Sequence, residues 1–136
     1  MMSKTGKMEK KINGFYKMGR LKVTIAKKIG VKSADIYIDA SHLHHIATNH
    51  AKELKILGID AESYVRMIVN QYNMILKGTG TSILLVIYTE DLNHVAAIDL
   101  NYSIKKNFWE VKTAQPRRNS EIERKEKLWQ NCPSSQ

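Results

Sequence analysis

Cysteine is almost absent from this chain of 136 residues: Cys132 is the single one, and it sits beside Pro133 in a polar tail. One thiol excludes an internal disulfide framework and a thiolate metal cluster, so Cys132 reads as a bystander. Long hydrophobic runs are missing too. The longest, residues 83–88, is far short of the roughly 20 apolar residues that a membrane helix needs, and the start of the chain shows no apolar signal core. A soluble, cytoplasmic protein without a membrane partner is expected.

Acidic residues are scarce at one end only. The formal net charge is +9, yet the first 34 residues hold ten of the 22 basic residues and one acid, Glu9, while the remainder carries equal numbers of each sign. Attraction to a polyphosphate would therefore come first from a basic arm and not from the body of the protein. A plain solubilising tail reads equally well.

What the chain does have is a globular balance, 43% hydrophobic and 26% charged, enough for one domain with a core plus an appendage. Residues 1–11 read as disordered and Asn13-Gly14 as a turn. The text LKVTIAKKIGVKSADI resembles the opening of a helix-turn-helix, with Ala26 and Gly30 at the tight positions. The second helix of that motif is missing, because Asp35 to Asp39 alternates like a strand. We read 22–29 as a short helix and 36–38 as a short strand.

Residues 41–57, SHLHHIATNHAKELKIL, hold four of the five histidines. Leu43, Ile46, Ala47, Ala51 and Leu54 recur at helical spacing, which predicts one amphipathic helix ending at Gly58. His50 lies on its buried side. His42, His45 and Asn49 share a different face through their three- and four-residue spacings. A second helix, capped near Asp60, carries a stripe from Tyr64 through Tyr72 to Ile75 and Leu76 and ends at Gly78 and Gly80. Strands follow at 83–88, 95–102 and 108–113, and Ser120 with Glu123 forms a capping box that opens a last helix through Leu128 and Trp129. The expected fold is α+β: N-terminal helices packed on one face of an antiparallel sheet of about three to four strands, with a short C-terminal helix.

Chemistry can sit in two places, the histidine helix and the strand text WEVKTAQPRR. Alternation puts Trp109, Val111 and Thr113 on one face and Phe108, Glu110 and Lys112 on the other. From Lys105 to Arg118 there are five basic residues and one acid. Lysine and arginine there could neutralise the charge that builds on a pentacoordinate phosphorus; on spacing alone, an ordinary solvated edge strand is the better reading. A zinc site on His42, His44, His45 and His50 fits poorly, since five residues separate His45 from His50 and zinc helices use four. No metal and no cofactor is expected.

The order DIYIDASHLHHIATNH, a helix ending IVNQYNMILKG, then SILLVIY, then FWEVKTAQPRR resembles the barnase/EndoU/colicin/RelE-like nucleases, closest to their phage and mobile-element branch. The likeness runs from about residue 33 to residue 129. It implies a metal-independent endoribonuclease, a toxin or a phage or mobile-element effector, that cuts RNA by attack of the 2′-hydroxyl to leave a 2′,3′-cyclic phosphate. Matched residue by residue, it implies catalytic roles for His45, His50, Lys112 and Thr113, and phosphate binding by Lys105, Lys106, Arg117 and Arg118. Five residues along a helix rotate by about 140°, so His45 and His50 could share one phosphate only if the helix bends or ends. The implied partners are RNA, either tRNA or ribosome-associated mRNA, and a cognate inhibitor protein. The implied domains are a basic arm with a short helix (1–34), a nuclease-like domain (35–130) and a disordered tail (131–136). The rival expectations are a DNA-binding regulator built on residues 24–37 and a catalytically inactive binding protein of the same fold.

Overall fold

The run Ile83–Ile87 has apolar side chains on both faces, and a strand of that kind must be covered from both sides. In the computed structural model, which describes residues 11–12, 14–89, 92–101 and 107–131, it lies inside one sheet of eight strands. In chain order the elements are β1 (Lys11–Ile12), β2 (Phe15–Arg20), α1 (Val23–Ile29), β3 (Asp35–Asp39), α2 (Ala40–Asn49), α3 (Ala51–Leu57) and α4 (Ala61–Gln71). Then come β4 (Met74–Lys77), β5 (Ile83–Ile87), β6 (Leu92–Asn101), β7 (Phe108–Arg118), α5 (Asn119–Ile122) and β8 (Lys127–Gln130). The sheet order is β1-β2-β3-β7-β6-β5-β4-β8. All neighbours are antiparallel except β3 and β7, which run parallel with Ile36 opposite Trp109.

The α+β class holds, but the expected antiparallel sheet of three to four strands is corrected to a mixed sheet twice that size. Three of the added strands fall where the sequence pattern predicts helix or a basic arm. Ile75 and Leu76 continue the helical stripe of α4 in sequence, yet α4 stops at Gln71 and both residues belong to β4. Leu128 and Trp129 are not helical either: α5 ends at Ile122, and β8 pairs with β4, Trp129 opposite Ile75. Phe15–Arg20, inside the stretch read as a basic arm, is a strand paired with β3. Its Gly19 lies so close to α4 that a Cβ would stand 2.6 Å from a Val69 methyl. No helix follows α1 before β3, so residues 24–37 form helix then strand. Residues 1–10 and 132–136, where disorder is expected and where Cys132 falls, lie outside the described residues.

The main core lies on one face of the sheet. Ile36, Ile38, Ile83, Leu85, Ala96, Ile98, Trp109, Val111 and Ala114 meet Ile25 of α1, Ile46 of α2, Leu54 of α3 and Tyr64, Val65, Ile68 and Val69 of α4 there. The opposite face carries a smaller apolar cluster of Met74, Leu76, Leu84, Val86 and Val95 under Ile122 of the four-residue α5. Toward β3 the same face carries a second apolar group, Phe108 packed edge-on against Phe15 and Tyr37. Among the described residues no helix is long and apolar enough to cross a membrane.

The helix expected over 41–57 is two helices. His50, at φ −122°, ends α2 and begins α3. Gly58, at φ 73°, ends α3 with its N–H on the Leu54 and Lys55 carbonyls, a left-handed stop that glycine takes without steric cost.

Within the main core, the Tyr64 hydroxyl and the His94 Nδ1 are 2.9 Å apart. Burial pushes the Tyr64 hydroxyl upward, with the Glu53 charge adding to it, and burial pushes His94 down. A histidine with a lowered folded pKa is neutral in the fold while the unfolded chain takes up a proton first, from about pH 6.5 downward. Stability from this group is therefore complete above that pH and is lost as pH falls from there toward the folded value. Thermal unfolding followed across pH 7.5 to 5 should show this loss, and His94→Asn, which keeps an acceptor for Tyr64 but does not titrate, should flatten it.

Candidate active site

A single carboxylate oxygen organises the start of α2. Asp39, the last residue of β3, accepts the His42 backbone N–H at 2.7 Å as the helix cap, and the same Oδ1 lies 2.7 Å from His42 Nδ1. An aspartate at a helix start is favoured because it satisfies an orphan N–H. Here the cap also fixes an imidazole: with Nδ1 donating to Asp39, Nε2 carries the lone pair. Burial raises the Asp39 pKa, and the two His42 hydrogen bonds with the charges of His42 and Lys112 more than offset it, leaving Asp39 below the usual carboxylate range.

β7 brings the other half. Glu110 is only 6% exposed. Its Oε1 accepts from Asn101 Nδ2 at 2.9 Å and from Lys112 Nζ at 3.3 Å, while its Oε2 is 3.9 Å from His42 Nδ1. Asp39, His42 and Glu110 thus bring three donor atoms within 4.8 Å of one another.

Simple alternation along β7 would separate Lys112 from Thr113, and the structure corrects that expectation. Thr113 pairs with Ala97 and Val111 with Ile98, so Lys112 is an extra residue, a bulge. Bulges re-aim side chains at the cost of one ladder step. This one leaves Val111 in the main core, and both Lys112 and Thr113 line a cavity of about 370 Å³ on the second face. Gln115, Arg117, Asp99 and Lys125 also line it, and Leu84, Val95 and Ala97 contribute apolar surface. Lys112 therefore touches both the Asp39–His42–Glu110 cluster and the cavity. No family model, curated protein or solved structure matches the chain. The functional reading rests on these side chains.

Of the residues singled out in the sequence, Lys112, Thr113 and Arg117 line that cavity. The Arg117 guanidinium is 3.5 Å from Glu121, whose other oxygen accepts the Arg118 backbone N–H at 2.9 Å. That N–H bond comes first among the causes that hold Glu121 low, followed by the charges of Arg117 and Arg118. Arg118 is exposed at the end of β7 and does not line the cavity. Lys105 and Lys106 lie outside the described residues.

The histidines divide. His45 is exposed, with Nε2 2.8 Å from Asn49 Nδ2, and its three-residue spacing keeps it on the His42 face one turn further along α2. His50 sits at the helix break with a buried Nδ1 that has no hydrogen-bond partner; the nearest carboxylate oxygen, on Glu53, is 3.8 Å away. The break that would let His45 and His50 converge does occur, yet no contact joins His50 to Lys112 or Glu110.

The sequence alone does not single out Asp39, Glu110 or Asn101, and it places His42 on one helix face with His45 and Asn49 without giving it a catalytic role. The available signal was Asp39 three residues before His42, the spacing at which a capping carboxylate reaches both backbone and side chain. Glu110 was placed on the Lys112 face, but nothing local pointed it toward a helix that starts 70 residues earlier.

Proposed function

We propose that this protein is an endoribonuclease that cleaves RNA by 2′-hydroxyl transesterification, in the manner of the barnase/EndoU/colicin/RelE-like nucleases. The observation that carries this reading is an imidazole oriented by a carboxylate at 2.7 Å, next to a lysine shared with an open, partly basic cavity. His42 Nε2 takes the proton of the ribose 2′-hydroxyl, and the freed oxygen attacks the adjacent phosphorus. His45, on the same helical face, gives a proton to the departing 5′-oxygen, so protons balance and no water is consumed. Lys112 and Arg117 neutralise the charge on the phosphorane oxygens, and Thr113 donates a hydrogen bond to one of them. Every role is filled by a side chain, so the reaction needs no metal ion.

The Asp39 carboxylate is a positioning group. It sets the tautomer that leaves Nε2 as acceptor and stabilises the imidazolium once the proton has moved. Glu110, held by Asn101, keeps the Lys112 ammonium at the mouth of the cavity.

The test is incubation of purified protein with end-labelled tRNA and with ribosome-bound mRNA in excess EDTA, followed by analysis of product ends. Cleavage leaving 2′,3′-cyclic phosphate and 5′-hydroxyl ends is expected. Cleavage that EDTA abolishes, or products with 3′-hydroxyl ends, would rule the mechanism out, and no cleavage of either RNA would favour an inactive binding protein of this fold.

A further inference from the structure

We infer that Asp39, His42 and Glu110 bind one divalent transition-metal ion of the zinc class, and that the bound ion switches the site off. The binding claim stands on geometry alone; the inhibitory effect rests on the ribonuclease reading above.

The three donor atoms come from two carboxylates and one imidazole. That mixture suits zinc, cobalt or nickel better than magnesium or calcium, which prefer oxygen ligands throughout. Ligands about 2.0–2.2 Å from a tetrahedral ion stand roughly 3.3 Å from one another. Asp39 Oδ1 and His42 Nδ1 are 2.7 Å apart, and His42 Nδ1 and Glu110 Oε2 are 3.9 Å apart, so these two pairs need to adjust by well under 1 Å, and the two carboxylates, within 4.8 Å of each other, close on the ion by a side-chain movement. Packing already fixes much of the arrangement. Asp39 is anchored by the His42 backbone N–H, and Glu110 is buried with its Oε1 held by Asn101, which leaves Oε2 directed at His42. Partners of that kind orient a carboxylate ligand from the second layer.

Binding has a defined consequence for the ring. For Nδ1 to coordinate, its proton must leave, and in the neutral imidazole it resides on Nε2 instead. The ring keeps its charge but its free nitrogen changes from acceptor to donor, so it can no longer take the 2′-hydroxyl proton. Lys112 opposes the ion: its ammonium is 3.3 Å from Glu110 Oε1, and a dication at Oε2 meets that positive charge across one carboxylate. Lysine and metal therefore compete for Glu110.

The test is titration of the metal-free full chain with zinc against a chromogenic chelator, with cobalt absorption in the visible as a second readout and circular dichroism as the folding control. One ion per chain is expected. Glu110→Gln and Asp39→Asn, both close to isosteric, should weaken binding by about tenfold or more. Lys112→Ala, which removes no ligand, should tighten it, and the double variant His44→Gln/His45→Gln should leave it unchanged. Absence of binding at millimolar zinc, binding indifferent to Glu110→Gln and Asp39→Asn, or binding lost in the His44/His45 variant would overturn the site. In the cleavage assay, activity should fall in step with zinc occupancy; cleavage unchanged or stimulated at full occupancy would overturn the inhibitory role. A chain that binds zinc at this site but cuts no RNA without metal would refute the ribonuclease reading and leave the metal site standing.

Discussion

His42→Ala is expected to lower the rate of RNA cleavage by about 10²–10⁴-fold, with the far-ultraviolet circular dichroism unchanged, because the ring is about a third exposed and stands at the first turn of α2. Asp39 would still cap α2 through the His42 backbone N–H, which the substitution retains. Lys112→Ala is expected to cost about 10²–10³-fold, the scale for losing one charge that stabilises a transition state. His45→Ala should also lower the rate, and its loss should be relieved on substrates with a good leaving group, which need no acid. His50→Ala should behave differently. Its ring is wedged at the α2–α3 break, so it should lower the melting temperature while folded protein keeps its turnover. Single-turnover rates with each variant, measured beside its thermal melt, separate the two outcomes. Full activity in His42→Ala would remove the proposed base.

Trp109→Ala is expected to destabilise the protein by about 3–5 kcal/mol, the range for truncating a large buried aromatic. The indole is 2% exposed in the main core, and its Nε1 donates to the Lys32 carbonyl at 2.9 Å. Trp109 pairs with Ile36 across the one parallel junction of the sheet and with Leu100 on the other side. It therefore ties the N-terminal half of the sheet to the β5–β7 meander. Trp109→Phe keeps most of the apolar contact and gives up the hydrogen bond, a loss of about 1–3 kcal/mol. Urea denaturation midpoints for the two variants check this. A loss below about 1 kcal/mol for Trp109→Ala would mean that β3 and β7 are not joined as described.

Periodicity made α4 and the three strands from β5 to β7 readable, because each buries one stripe or one face over enough residues to set a pattern. It failed where patterns coincide. Ile75 and Leu76 fall three and four positions after Tyr72, so a strand of four residues passes for a fourth helical turn. Leu128 and Trp129 follow a serine and glutamates at helical spacing, and only pairing with β4, over 50 residues earlier, makes them a strand. The break at His50 has no glycine or proline to announce it. For the site, Lys112, Thr113 and Arg117 were legible as a polar strand end rich in cations. The partner histidine was not, since choosing His42 over His45 and His50 depends on where β3 ends relative to β7. The bulge that sets Lys112 and Thr113 on one face is likewise a property of the β6–β7 register, invisible in either strand alone.

The central claim is that the RNA's own 2′-hydroxyl is the nucleophile. The most direct measurement uses an oligoribonucleotide with a mapped cleavage site and a matched copy carrying one 2′-deoxy sugar immediately 5′ of the scissile phosphate. The account predicts that this single change abolishes cutting at that bond, in EDTA, while neighbouring bonds remain susceptible. Cutting at the deoxy position at a comparable rate would show that another nucleophile attacks phosphorus, and the roles given to His42 and Lys112 would fall with it.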